Sequence, residues 1–250
     1  MKHTDVVDWR VWKAAEVAAN ARPIHPNGTA IRAGDQIYII TRLKKSFLGD
    51  VAFITPSPVL LALDASIRAA KEAIELRSGL RVEATAQPRQ PPDVPPRQLP
   101  ALNRFFEQAM IAVTFSYQAL EAFANEIITN ELKGTTTLNR SGKSVEWNAS
   151  EIERRATTEE KLGVVLPRLL KKTSPKGLAV WQELKRLKEL RDATIHLKNV
   201  DQYVRGRPDD QTLYFRLLGA DPLSFPRGAI AMLKYFNSDN TALIGAEAQL

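Results

Sequence analysis

Residues Ala101 to Lys133 read ALNRFFEQAMIAVTFSYQALEAFANEIITNELK. Phe106, Met110, Val113, Tyr117, Leu120, Ala124 and Ile127 recur at three- and four-residue steps, the repeat of one α-helical face, and Gly134 stops the run. A helix of 33 residues with one apolar face is too long to stand alone. It predicts partner helices and a mainly α fold for this part of the chain.

Those partners are sought downstream first. Gly134 to Ala156, rich in Thr, Asn, Ser and Gly, reads as a polar, basic loop. Thr157-Thr158-Glu159-Glu160 is a capping box that opens a helix through Lys172, with a kink expected at Pro167. Ser174-Pro175 pairs an N-cap with a proline at the first helical position and opens the next long helix. Thr212 to Leu217 reads as a short strand, and Ser224-Phe225-Pro226 opens a last helix through about Asn237.

Upstream, Gln87 to Pro100 reads QPRQPPDVPPRQLP, whose prolines remove backbone donors and favour an extended path, so it serves as a linker or strap. It separates residues 1–86 from residues 101–250. In the first part, Asp5 to Asn20 reads as a helix, and Ile31 to Thr41 and Val51 to Thr55 as strands. Turns are expected at Ala33-Gly34-Asp35 and near Gly49-Asp50. Asp64 to Ser78 reads as a helix with Asp64 as N-cap and Gly79 as its stop. This small α+β region offers no chemistry of its own.

Composition bounds what remains. The 250-residue chain has no cysteine, which removes disulfides and thiolate metal sites, and His3 and His25 lie too far apart for ligand spacing. No metal or cofactor is expected. Apolar runs such as Val59 to Leu63 are far shorter than a membrane span, and the start of the chain lacks a basic segment followed by an apolar signal core. The expectation is a soluble, cytoplasmic protein without a membrane partner. A net charge of +7 favours a polyanionic partner. Nine basic residues fall between Arg168 and Lys198 against Glu183, Glu189 and Asp192, which reads either as a solvated helix face or as a surface for RNA.

Within that run, Leu190-Arg191-Asp192-Ala193-Thr194-Ile195-His196-Leu197-Lys198 holds the third of only three histidines. At 100° per residue Arg191 lies about 20° from Leu184 and about 40° from Leu187, so it continues their apolar stripe. Catalysis, a buried ion pair and a subunit contact would each explain a charge there. His196 aligns with Lys185, Glu189 and Asp192, roughly 140° around the helix from Arg191. The two side chains can serve one site if the helix end unwinds near His196, or if a second copy of the helix supplies the missing group across a two-fold axis. Asp192, four residues before His196, is placed to hold one imidazole nitrogen and suit it to general-base work. The plainer reading makes His196 a helix-end residue interacting with the dipole and Arg191 the partner of a buried acid. On the long helix, Tyr117, Glu121 and Asn125 follow at four-residue steps in an otherwise apolar stretch, so Glu121 or Asn125 is expected to face the motif helix and hold Arg191 or its loop.

The pairing of ALEAFANEII (Ala119 to Ile128) with Leu-x-x-Leu-Arg-Asp-x-x-x-His (Leu187 to His196) resembles the HEPN superfamily of helical domains, over about Ala101 to Lys198. The family signature is Arg, four to six residues, then His, commonly with a polar residue after the arginine. Arg191, Asp192 and His196 fit its four-residue form. The resemblance implies an antiparallel helical bundle that dimerises, with a composite Arg/His site at the interface. It also implies metal-independent endoribonuclease activity, frequently in toxins or antiviral abortive-infection effectors, although some relatives only bind nucleotides or scaffold partners. On that reading His196 is general base or acid, Arg191 the phosphate ligand, Asp192 the orienter, and Thr194 a small neighbour that leaves room beside the cleft. Lys198, Arg140 and Lys143 would guide the RNA backbone. The partners implied are RNA, a second copy of the chain, and an antitoxin or defence partner. The rivals are a non-catalytic dimerisation module and an RNA-binding protein without cleavage.

Overall fold

The computed structural model describes residues 8–11, 13–16, 36–83, 93–140, 142–198, 212–237 and 241–250. The protein is mainly helical, with three two-stranded antiparallel ribbons among the described residues. Its first helix, α1 (Pro58–Gly79), starts where the Ser57 hydroxyl accepts from the Leu60 N–H, with proline at its first turn. Asp64 is therefore not the cap. It lies nearly two turns inside the helix and takes Arg10 and Arg68 on one carboxylate oxygen, each at 3.0 Å.

The second helix, α2 (Leu99–Glu131), follows a 3-10 turn at Pro96–Gln98, so the end of the proline-rich stretch is already helical. Its buried stripe runs through Phe105, Ala109, Ala112, Ser116, Leu120 and Ala124. Val113, Tyr117, Leu120 and Ala124 of the expected stripe are buried as well, while Phe106, Met110 and Ile127 are only partly buried, so the buried arc is wider than expected and shifted to one side. On α1 the small residues Ser66, Ala69, Ala70 and Ala73 are buried. The Ser66 hydroxyl donates to the Ala112 carbonyl at 2.8 Å and lies 2.7 Å from the Ser116 hydroxyl, so this buried polar pair is satisfied. α1 and α2 thus share one core across the proline-rich segment, and an isolated bridge pairs Glu83, ahead of that segment, with Asp93 within it.

The capping box at Thr157 and Glu160 forms as expected and opens a helix over 158–169, α4. Its middle, Lys161–Val165, is wound as a π-helix. Pro167 explains it: the ring lacks an N–H and crowds the carbonyl four residues back, that of Gly163. The freed Gly163 carbonyl accepts instead from the Ser174 hydroxyl at 2.7 Å. Ser174 therefore does not open the next helix. That helix, α5 (Ala179–Ile195), begins five residues later and buries Trp181, Leu184 and Leu187. Gly163 lies so near it that a Cβ there would meet Trp181 at 2.8 Å.

Several other elements differ from expectation. The Gly134 to Ala156 segment is a hairpin, Thr135–Arg140 with Lys143–Asn148, followed by α3 (Ala149–Arg155) under an Asn148/Glu151 capping box. Leu138 and Trp147 pin it to the core, a pairing that its polar composition conceals. Thr212 caps a helix, α6 (Leu213–Gly219), rather than starting a strand. Helix α7 (Ser224–Phe236) starts where expected but is not the last, since α8 (Thr241–Glu247) follows it. Within the expected Asp5 to Asn20 helix, Lys13–Glu16 form a strand paired with Gln36–Tyr38. These are β1 and β2. Strand β3 (Ile40–Ser46) pairs with β4 (Gly49–Ile54), so the turn falls on Phe47-Leu48, ahead of Gly49-Asp50. Ala33-Gly34-Asp35 lies outside the described residues. The hairpin strands Thr135–Arg140 and Lys143–Asn148 are β5 and β6. Among the described residues no helix is long and apolar enough to cross a membrane.

Candidate functional site

The buried stripe of α5 reaches the surface one turn after Leu187, and Arg191 occupies that point. Its side chain is 25% exposed, with the guanidinium carbon 4.2 Å from the centre of the Tyr117 ring on α2. A delocalised cation can leave water on such terms because the ring face is negative. Arg191 Nη1 also donates to Asp192 Oδ1 at 2.9 Å.

A ring of polar contacts closes around this stack. The other Asp192 oxygen receives Lys188 Nζ at 3.2 Å, and Lys188 reaches Glu159 Oε1 at the same distance. The Tyr117 hydroxyl donates to Glu159 Oε2 over 3.5 Å. Three elements, α2, α4 and α5, are tied together in this way. Hydrogen bonding to Glu159 and Asp192 raises the Lys188 pKa, holding it as a cation, while burial pushes the Tyr117 phenol up to about 12.

The ring changes the part assigned to Asp192. Its carboxylate holds Arg191 and Lys188, and no hydrogen bond from it to His196 exists among the described residues. His196 itself has left the helix, with φ −115° and ψ 57°, although its N–H still donates to the Asp192 carbonyl at 2.9 Å. Its side chain is exposed. The fixed 140° relation to Arg191 no longer applies, because it assumed helical backbone through His196. Thr194 turns its hydroxyl back onto the Leu190 carbonyl at 2.9 Å, which occupies it within the helix.

Beside Arg191 lies an open cleft of about 460 Å³, lined by Tyr117, Gln118, Glu121 and Asn125 of α2 and by Arg191 and Ile195 of α5. The structure thus brings Arg191, Glu121 and Asn125 to one hollow. Glu121 does not pair with Arg191. Its Oε1 lies 3.8 Å from Nζ of Lys161, a fully buried side chain on the π-turn that also donates to the Glu153 carbonyl at 3.0 Å. Burial lowers the Lys161 pKa, and the Glu121 and Glu153 charges oppose that. Asn125 Oδ1 is shielded from solvent with no protein hydrogen bond. Lys198 is exposed just past the helix end. Arg140 and Lys143 pair in register at the turn end of the β5–β6 ribbon.

Sequence reasoning missed Lys188, Glu159 and Lys161 as members of this region. Lys188 sits three residues before Arg191 and four before Asp192, a signal available from helical spacing. What the fold defines is a mainly helical protein with an Arg-bearing cleft between its longest helix and the motif helix. Comparison with protein-family models, with curated proteins and with solved structures yields no significant match.

Proposed function

We propose that this chain is an endoribonuclease of the HEPN type, an antiparallel helical bundle acting as a homodimer on RNA without need of a metal. The observation that carries the reading is that Arg191 and His196 both reach the surface at the end of α5, where the helix unwinds at His196. In the reaction, the His196 imidazole takes the proton of a 2'-hydroxyl as that oxygen bonds to the adjacent phosphorus. The bond to the 5'-oxygen breaks, leaving a cyclic phosphate and a 5'-hydroxyl, and an imidazolium of the pair returns the proton to the leaving oxygen. Arg191 offsets the charge that develops on the phosphoryl oxygens, with Asp192 and Tyr117 positioning it. Asn125 and Glu121 shape the cleft, the small Thr194 leaves room beside it, and Lys198, Arg140 and Lys143 meet the RNA backbone. A toxin or antiviral setting, with an antitoxin or defence partner, belongs to the same reading.

A second reading rests on the closed ring: an arginine already stacked on Tyr117 and paired with Asp192 has a structural occupation. It describes a non-catalytic dimerisation or RNA-binding module. Purified protein incubated with cellular RNA in EDTA separates the two. The ribonuclease reading expects cleavage that is lost in His196→Ala while the dimer persists by light scattering. No cleavage by a correctly dimeric wild type, or full cleavage by His196→Ala, overturns it.

A further inference from the structure

The β3–β4 ribbon carries apolar side chains where solvated ribbons carry polar ones. Its two-residue turn is Phe47-Leu48, 97% and 67% exposed, at positions where hairpins favour Asn-Gly or Asp-Gly. Behind the turn, Leu43 and Phe53 share one face and are 43% and 41% exposed. Arg42, Lys44 and Lys45 are exposed beside them.

The backbone of the tip is closed on itself. The Leu48 N–H donates to the Ser46 hydroxyl at 3.2 Å, and that hydroxyl donates to the Gly49 carbonyl at 2.7 Å. The Lys45 N–H, in a left-handed conformation at φ 57°, donates to the Asp50 carboxylate at 2.9 Å. These bonds leave Phe47 and Leu48 as the side chains that lead the ribbon, with local polar groups paired behind them.

We propose that this ribbon docks the protein on an anionic lipid surface, with Phe47 and Leu48 entering the interfacial layer and Arg42, Lys44 and Lys45 facing the headgroups. Entry into that layer costs less when backbone donors are already paired, as the Lys45 and Leu48 N–H groups of this turn are. The charge complements the surface: three cations stand against Asp50, and the whole chain carries +7. Each basic residue near such a surface strengthens partitioning about fivefold. Single-stranded RNA suits the tip less well, since base stacking needs a run of rings and Phe47 is followed by Leu48, with Leu43 behind it, where a second base would have to stack. Docking of this kind needs no spanning helix. It departs from the expectation that no membrane is involved, and it is independent of the ribonuclease reading.

The test is sedimentation of the full chain with vesicles of phosphatidylcholine mixed with phosphatidylglycerol, compared with pure phosphatidylcholine. Wild type is expected to bind the mixed vesicles and to release as salt rises. The double substitution Phe47→Ser with Leu48→Ser should weaken binding roughly tenfold or more. Lys44→Glu with Lys45→Glu should abolish the preference for anionic lipid, each with an unchanged far-UV spectrum. Because the chain has no cysteine, Leu48→Cys carries a single environment-sensitive dye, which should shift to the blue on the mixed vesicles. Failure of wild type to bind them at low salt, an unshifted dye, or tip variants that bind as wild type overturns the proposal. So does a tip variant that alters only RNA affinity or oligomeric state.

Discussion

A guanidinium placed on the apolar side of a helix must be desolvated against something, and for Arg191 the Tyr117 ring 4.2 Å away fills that need. Tyr117 in turn keeps its proton, because burial holds the phenol at about 12 while an unfolded chain releases it near 10. The folded state therefore binds this proton more tightly. The resulting stabilisation is intact below pH 10 and is lost as pH climbs towards 12, an amount on the order of 2 kcal/mol. Denaturant melts of wild type and Tyr117→Phe across that window should show the loss in wild type and not in the variant. A parallel decline in both would remove Tyr117 as its source. The importance of this ring was half legible beforehand: the four-residue steps from Tyr117 to Glu121 and Asn125 put all three on the cleft beside Arg191, although the expected hold on Arg191 is not made by Glu121, which pairs with Lys161. The stack under Arg191 was not legible, since it needs the angular position of α2 against α5, which residue spacing within one helix does not contain.

Elements were legible where the signal is local and illegible where packing decides. The capping box at Thr157 and the start of α7 at Ser224 are written in consecutive residues, and both form. Ser174-Pro175 carries the same local signature and starts no helix, because Pro167 leaves the Gly163 carbonyl open and Ser174 is drawn to it. The β5–β6 hairpin was hidden for a related reason: among its described side chains only Leu138 and Trp147 are buried, too few to show an alternating pattern. Gly163 is the position where α4 and α5 approach most demandingly, for an added Cβ would lie 2.7 Å from Lys176 Cε and 2.8 Å from the Trp181 ring. The lysine tail can move, but the buried ring cannot easily do so. Gly163→Ala should therefore lower stability by about 1–3 kcal/mol, read as a fall in the thermal midpoint. An unchanged midpoint would mean that α5 shifts freely on α4.

At the scale of the molecule, the division at the proline-rich segment was the weakest guide to architecture. Prolines mark the backbone path, but they do not reveal that Ser66, Ala69, Ala70 and Ala73 wait upstream to meet α2. The polar ring at the end of α5 has a further consequence, which concerns linkage. Asp192 already sits on Arg191 as an internal anion, and the same carboxylate fastens α5 through Lys188 to the start of α4. An incoming phosphate that draws Arg191 away must displace it, so occupancy of the arginine and tight docking of α5 oppose each other, and the opposition is reciprocal. Asp192→Asn is then expected to bind an RNA oligonucleotide severalfold more tightly in a salt-matched titration while unfolding more easily. Weaker binding would instead make Asp192 an aid to the ligand. Whatever anion this protein takes, it is exchanged for one the chain already carries, so the site is a switch of partners and never an empty socket.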